Sequence, residues 1–135
     1  MRIVMDTNAL LIAIPKHSPY RPIFDALLAG SFKMIISNDI LSEYEEIIAQ
    51  KANSSIANNI LELLKSLDNV EFQQIYYKWN LIEQDKDDNK FVDCAVAANA
   101  DFLVTNDKHF NILQSIDFPP VKVLSIDAFL EMIQK

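Results

Sequence analysis

Hydrophobic residues recur along this chain with two different periods, and the change of period marks out the elements. "RIVM" (2–5) is a short apolar run that reads as a strand, and "YRPIFDALLAG" (20–30) has the spacing of a helix with Gly30 past its end. "KMIIS" (33–37) reads as a second strand. Ser37 then offers a cap for a helix over 38–51, in which Ile40, Tyr44, Ile47 and Ile48 fall on one face. In "SSIANNILELLKSL", Ile56, Ile60, Leu63, Leu64 and Leu67 make a second apolar face. A strand is expected in "NVEFQQI", followed by a polar loop, "EQDKDDNK", that feeds a helix through "FVDCAVAANA". The strand "DFLVT", a short helix near 108–114, the strand "VKVL" and a last helix capped by Ser125 or Asp127 complete the chain. Strand alternates with helix nearly throughout, so the expected fold is a three-layer α/β/α sandwich with a mostly parallel central sheet.

At 135 residues, half of them hydrophobic and only one of them glycine, the chain is expected to form a single domain, 1–135, around one core. The lone Cys94 lies in an apolar helical pattern and excludes a disulfide framework. The longest apolar stretch, "ALLIAI", is far too short to span a bilayer, and no charged-then-apolar leader precedes the first strand. The expectation is a cytoplasmic protein with no membrane role. The formal charge of −7 opposes binding to a nucleic acid unless part of it is clustered around metal.

That charge is not evenly placed. Asp6 ends the first apolar run abruptly, and Asp107 stands just beyond "DFLVT". In open α/β sheets, ligands bind beyond the carboxyl ends of strands where strand order reverses, so these two acids are expected at one edge of the sheet. Two carboxylates there repel unless a cation or protons lie between them. Each alone is also a common helix cap. Glu43 falls on or beside the inward stripe of helix 38–51, whereas Glu45 and Glu46 point outward. In "DKDDNKFVDCAVAA", Asp88 sits where a helix begins and Asp93 one turn further in, while Asp85 and Asp87 are expected to face water.

"VMDTNALL", the glutamate of "SNDILSEYEEII", "DDNKFVDCAVAANADFLVTND" and the closing "VKVLSIDAFL" together resemble the PIN domain family, specifically its toxin-like group from bacterial and archaeal toxin–antitoxin systems. The likeness runs in order over nearly the whole chain. It implies a metal-dependent ribonuclease with an acidic quartet at Asp6, Glu43, Asp88 and Asp107, accompanied by the polar Asn8 and Thr105. Asp93 is the rival of Asp88 as third acid, or a fifth metal ligand. The resemblance also implies an RNA substrate, a homodimer and a small antitoxin partner. Many relatives carry glycine where this chain has Asn99, a change not expected to touch chemistry.

Hard oxygen donors without a His or Cys cluster suit Mg²⁺ or Mn²⁺ rather than Zn²⁺. Such ions acidify water and neutralise phosphate, which lets an acidic pocket accept a polyanion. Lys16, His17, Arg21, Lys33, Lys90 and Lys108 are candidates to grip flanking phosphates, or else ordinary surface charge. His109, two residues after Asp107, is either a substrate contact or, as a lone histidine more often is, a surface or packing residue; Tyr76, Tyr77 and Trp79 are either a stack for a base or, as their spacing favours, core and helix-packing aromatics. Two other classes stay open: a phosphotransfer or phosphatase-type Mg²⁺ domain, weakened because Asn8 stands where a second aspartate is wanted, and a catalytically idle PIN-like binding module, against which all four acids argue.

Overall fold

The computed structural model describes all residues 1–135. Five strands, β1 (Arg2–Met5), β2 (Lys33–Ile36), β3 (Val70–Phe72), β4 (Phe102–Val104) and β5 (Val123–Leu124), form one sheet in the order β3-β2-β1-β4-β5. Every neighbouring pair is parallel. Consecutive strand residues point to opposite faces. Ile3, Val4 and Met5 in β1, and Met34, Ile35 and Ile36 in β2, are all buried, so both faces of the sheet are covered. The outcome is the expected three-layer sandwich, with a fully parallel sheet.

Six α-helices pack around it: α1 (Thr7–Ala13), α2 (Arg21–Leu28), α3 (Asn38–Lys51), α4 (Ser54–Ser66), α5 (Asn89–Ala97) and α6 (Ile126–Gln134). Two 3₁₀ segments, Lys86–Asp88 and Lys108–Ser115, precede α5 and β5. α1 is the element that hydrophobic spacing left unannounced, because Ala9, Leu10 and Ala13 are buried in a helix of only seven residues. α2 packs on α1 and α6, and α3 pairs with α4. The serine caps hold: Ser37 Oγ accepts from Ile40 N–H at the start of α3, and Ser125 Oγ from Ala128 N–H at the start of α6.

α5 closes through Asn99, whose φ of 51° is left-handed. Asn99 N–H reaches the Val96 carbonyl and Ala100 N–H the Ala95 carbonyl, the paired bonds that end a helix through such a residue. Asparagine tolerates this conformation, so a residue other than glycine can end the helix here. The expected core role of Tyr76 and Tyr77 is not what the fold gives. Residues 73–82 form no regular element, and the two tyrosines are 84% and 64% exposed. Trp79 stacks edge-on against Tyr77 and Phe118.

Strand order reverses between β1 and β4: the chain runs outward from β1 to β3, then returns to β4 on the other side of β1. Met5 pairs with Val104 at the carboxyl ends of these two strands, and Asp6 N–H bonds to the Val104 carbonyl at 3.1 Å. Residues 6 and 105–107 therefore emerge side by side at the switch point. No helix is long and apolar enough to cross a membrane.

Candidate metal centre

Asp6 leaves β1 and turns into α1. Its Oδ1 accepts from Ala9 N–H at 2.8 Å, capping the helix, and its Oδ2 accepts from the Thr105 hydroxyl. The cap and the candidate ligand are thus one residue, since each carboxylate oxygen keeps a further lone pair. Asp6 is 6% exposed. Burial raises its pKa, the bonds from Thr105 and Ala9 oppose that, and the charges of Asp107 and Glu43 add to the rise.

Thr105 supports two acids. Besides donating to Asp6, its oxygen accepts from Asp107 N–H at 3.0 Å, which fixes the turn after β4. Asp107 Oδ1 then accepts from His109 N–H at 2.9 Å and caps the second 3₁₀ segment. Tyr44, wholly buried on α3, donates its hydroxyl to the Met5 carbonyl at 2.6 Å, and burial holds its pKa well above the ordinary value. This bond ties α3 to the end of β1, so the neighbouring Glu43 is delivered to the switch point. Glu43 Oε2 accepts from the Thr7 hydroxyl, and Oε1 lies 2.7 Å from Lys90 Nζ.

Asp88 stands at the first position before α5 but gives no capping hydrogen bond. Its Oδ2 lies 3.1 Å from His109 Nδ1, which is also 3.4 Å from Asp107 Oδ1. Burial, and then the charges of Asp107 and Asp85, outweigh the His109 hydrogen bond and bring the Asp88 pKa up to about 6. The hydrogen bond to Asp88 raises the pKa of His109 in turn. Ligand atoms of Asp85, Asp88 and His109 all lie within 4.8 Å of one another, close enough to share a cation.

Asp6, Glu43, Asp88 and Asp107 thus line one open cavity of about 280 Å³, joined by Asp85 and Asp87. Asn8, exposed on α1, lies on the same cavity. Asp93 does not. It is buried in α5, and its Oδ1 accepts from the Trp79 backbone N–H at 3.0 Å, so that carboxylate anchors the 73–82 segment. Burial, offset by this bond and by Lys78, raises its pKa.

Several participants were invisible in the linear pattern. Asp85, expected to face water, is brought beside Asp88 because residues three apart eclipse in a 3₁₀ turn. His109, read as a surface or packing residue, bridges two acids. Lys90 is committed to Glu43 rather than left for substrate. The donor set fits a hard divalent cation: carboxylate oxygens predominate, with one imidazole beside them.

A profile of the PIN domain family matches residues 2–109. Among solved structures, a chain of VapBC2 from Rickettsia felis, bound to a DNA fragment from their promoter, superposes with a TM-score of 0.64 at 22% identity. The match covers 93% of this chain and 98% of that one. VapBC-1 from nontypeable Haemophilus influenzae gives a TM-score of 0.60 at 17% identity, covering 94% and 99% of the two chains. The PIN domain of human SMG5 gives 0.54 at 16%, covering 98% of each. No curated protein matches the sequence significantly.

Proposed function

This chain belongs to the PIN domain family, and from that premise we propose that it is a Mg²⁺- or Mn²⁺-dependent endoribonuclease acting as the toxin of a toxin–antitoxin pair. One observation carries the reading. Four carboxylates from four distant segments, Asp6, Glu43, Asp88 and Asp107, converge on a single cavity at the topological switch point.

Those four residues would hold the ion, and a divalent cation there supplies charge neutralisation at a scissile phosphate and acidification of a water. The chain's own groups do the rest. Thr105 and Ala9 N–H fix the Asp6 carboxylate, Thr7 and Lys90 fix Glu43, and His109 Nδ1 fixes Asp88 and Asp107. Such outer partners keep ligands aimed while the ion exchanges. Asn8, exposed on the same cavity, would donate to a phosphate oxygen.

The toxin assignment draws on the sequence resemblance and on the VapBC structures that share the fold. It carries with it a homodimer and a small antitoxin whose tail enters the acidic groove. The test is incubation of purified protein with Mg²⁺ or Mn²⁺ and a mixed RNA pool, beside Asp6→Asn. Cleavage by the parent alone supports the nuclease. RNA binding without cleavage would favour an idle binding module, and release of phosphate from a monoester a phosphatase-type domain. Co-purification with the product of a neighbouring short reading frame tests the partner.

A further inference from the structure

The acidic cavity has a larger neighbour. A cleft of about 600 Å³ opens between residues 81–84 and the 3₁₀ segment 108–115, and the reading above leaves it unused. We propose that this cleft seats one nucleotide of a single-stranded RNA next to the scissile phosphate. The proposal rests on the nuclease reading and adds the path of the strand.

The cleft adjoins the acidic cavity through His109. His109 lines the cleft, and its Nδ1 is 3.1 Å from Asp88 Oδ2 and 3.4 Å from Asp107 Oδ1. A group bound in the cleft is therefore one side chain from the acids. Lys108 follows Asp107 directly, and the Asp107 cap on His109 N–H makes acid and cleft wall one unit.

The opposite wall is fixed as firmly. The buried Asn89 side chain accepts from Ile82 N–H and donates to the Ile82 carbonyl, both at 2.9 Å. These bonds pin the 81–84 loop to the first residue of α5, beside Asp88. The cleft is preformed, within the usual size range of small-molecule sites.

Its chemistry matches a nucleotide. Ile112 is 49% exposed although Phe110 and Leu113 beside it are buried. With Leu81 across the cleft it offers apolar surface on which a base face can rest. Gln84 and Asn111 bring amides, each a paired donor and acceptor of the kind that reads base edges. Lys108 is the one lysine on this wall and forms no ion pair, unlike Lys90, so it is available to a phosphate. Glu83 on the rim disfavours a second phosphate, which limits the cleft to a single nucleotide.

The test uses the full chain with Ca²⁺ and a random-sequence pool of 2′-O-methylated tetraribonucleotides, followed by amide chemical shifts. Perturbations are expected at residues 81–84 and 108–115. Lys108→Met and Ile112→Ser should each weaken binding by about tenfold, a change of one decade in Kd, while leaving Mn²⁺ affinity within about twofold. Perturbations confined to other surfaces, or variants that bind as the parent does, would overturn the cleft assignment. Adenosine monophosphate binding as tightly as the tetramers would overturn its assignment to a polymer strand. A parent that binds no oligonucleotide overturns the cleft. Cleavage of the mixed RNA pool, measured separately, then decides the nuclease reading by itself.

Discussion

Lys90 Nζ sits 2.7 Å from Glu43 Oε1, with both side chains about one-fifth exposed, so one of the four pocket acids carries a resident counter-cation. The pair joins α5 to α3 across the mouth of the sheet, and it neutralises part of a charge cluster that has no other basic side chain within hydrogen-bonding distance of Glu43.

Lys90→Met removes that cation and leaves Glu43 facing Asp6 and Asp107. Breaking a fully buried pair costs roughly 3–5 kcal/mol; partial exposure reduces the expected loss here to about 1–2 kcal/mol. In chelator the variant should melt roughly 3–8 °C below the parent. Added Mn²⁺ should recover much of the difference, because the ion replaces the ammonium. Thermal melts with and without Mn²⁺ check this, and an equal deficit in both conditions would mean that Lys90 acts by packing alone.

Asp6 both caps α1 and faces the acid cavity, and two substitutions separate the roles. Asp6→Asn keeps an oxygen for Ala9 N–H but removes a buried charge whose pKa is raised by burial. It should melt at or above the parent in chelator yet gain little from Mn²⁺. Asp6→Ala loses the cap as well and should cost about 1 kcal/mol relative to Asp6→Asn. If Asp6→Asn gains as much from metal as the parent, Asp6 is a cap with no part in a metal site.

Asp88 is an acid whose folded-state pKa, about 6, exceeds its ordinary 3.8. Between those values the folded chain holds more protons than the unfolded one, so this group's contribution to stability falls as pH rises through the window. His109 moves in the same direction. Its raised pKa stabilises the fold while the ring is protonated, and that contribution is lost as pH rises past the folded pKa. In chelator, Asp88→Asn should therefore gain on the parent in melting temperature between pH 4 and 7. With saturating Mn²⁺ the order should reverse near neutrality. A difference that does not change with pH would remove Asp88 from the coupled acid cluster.

Asp88 and Asp93 lie five residues apart on and beside one helix but serve different ends. Asp88→Asn should reduce cleavage by more than the roughly 10–100-fold that loss of an outer partner costs. Asp93→Asn should leave most of the activity. It weakens the bond to Trp79 N–H, so its effect is expected as about 1 kcal/mol of stability and a change in Trp79 fluorescence. Cleavage assays and melts on the two variants decide, and the reverse pattern would exchange their roles.

Much of the fold could be read from the chain because its information is local. Two periods of hydrophobicity separate β1 from α3 and β4 from α5, and alternation of strand with helix is enough to require parallel crossovers. Ser37, Ser125 and Gly30 mark element ends through their own backbone and side-chain chemistry. The edge of the sheet at which Asp6 and Asp107 emerge followed as well, since each acid comes directly or nearly so after a strand. The resemblance of the motifs supplied Glu43 and Asp88, which spacing alone left open.

Distance between segments is what the chain could not state. Tyr44 looks like any inward aromatic until the fold brings its hydroxyl to the Met5 carbonyl, and only then is Glu43 placed. Lys90 and His109 are unremarkable as letters; they acquire roles because α5 and the second 3₁₀ segment converge on the ends of β1 and β4. Asp93 has the same charge as Asp88 and a better-buried position, yet it faces the 73–82 segment rather than the cavity. Sequence determined which side chains can ligate, cap or pack, because those are properties of single residues and short periods. Tertiary structure alone decided which carboxylates share a cavity and which cation each one meets, because Coulomb and hydrogen-bond energies depend on separations of a few ångströms between residues tens of positions apart.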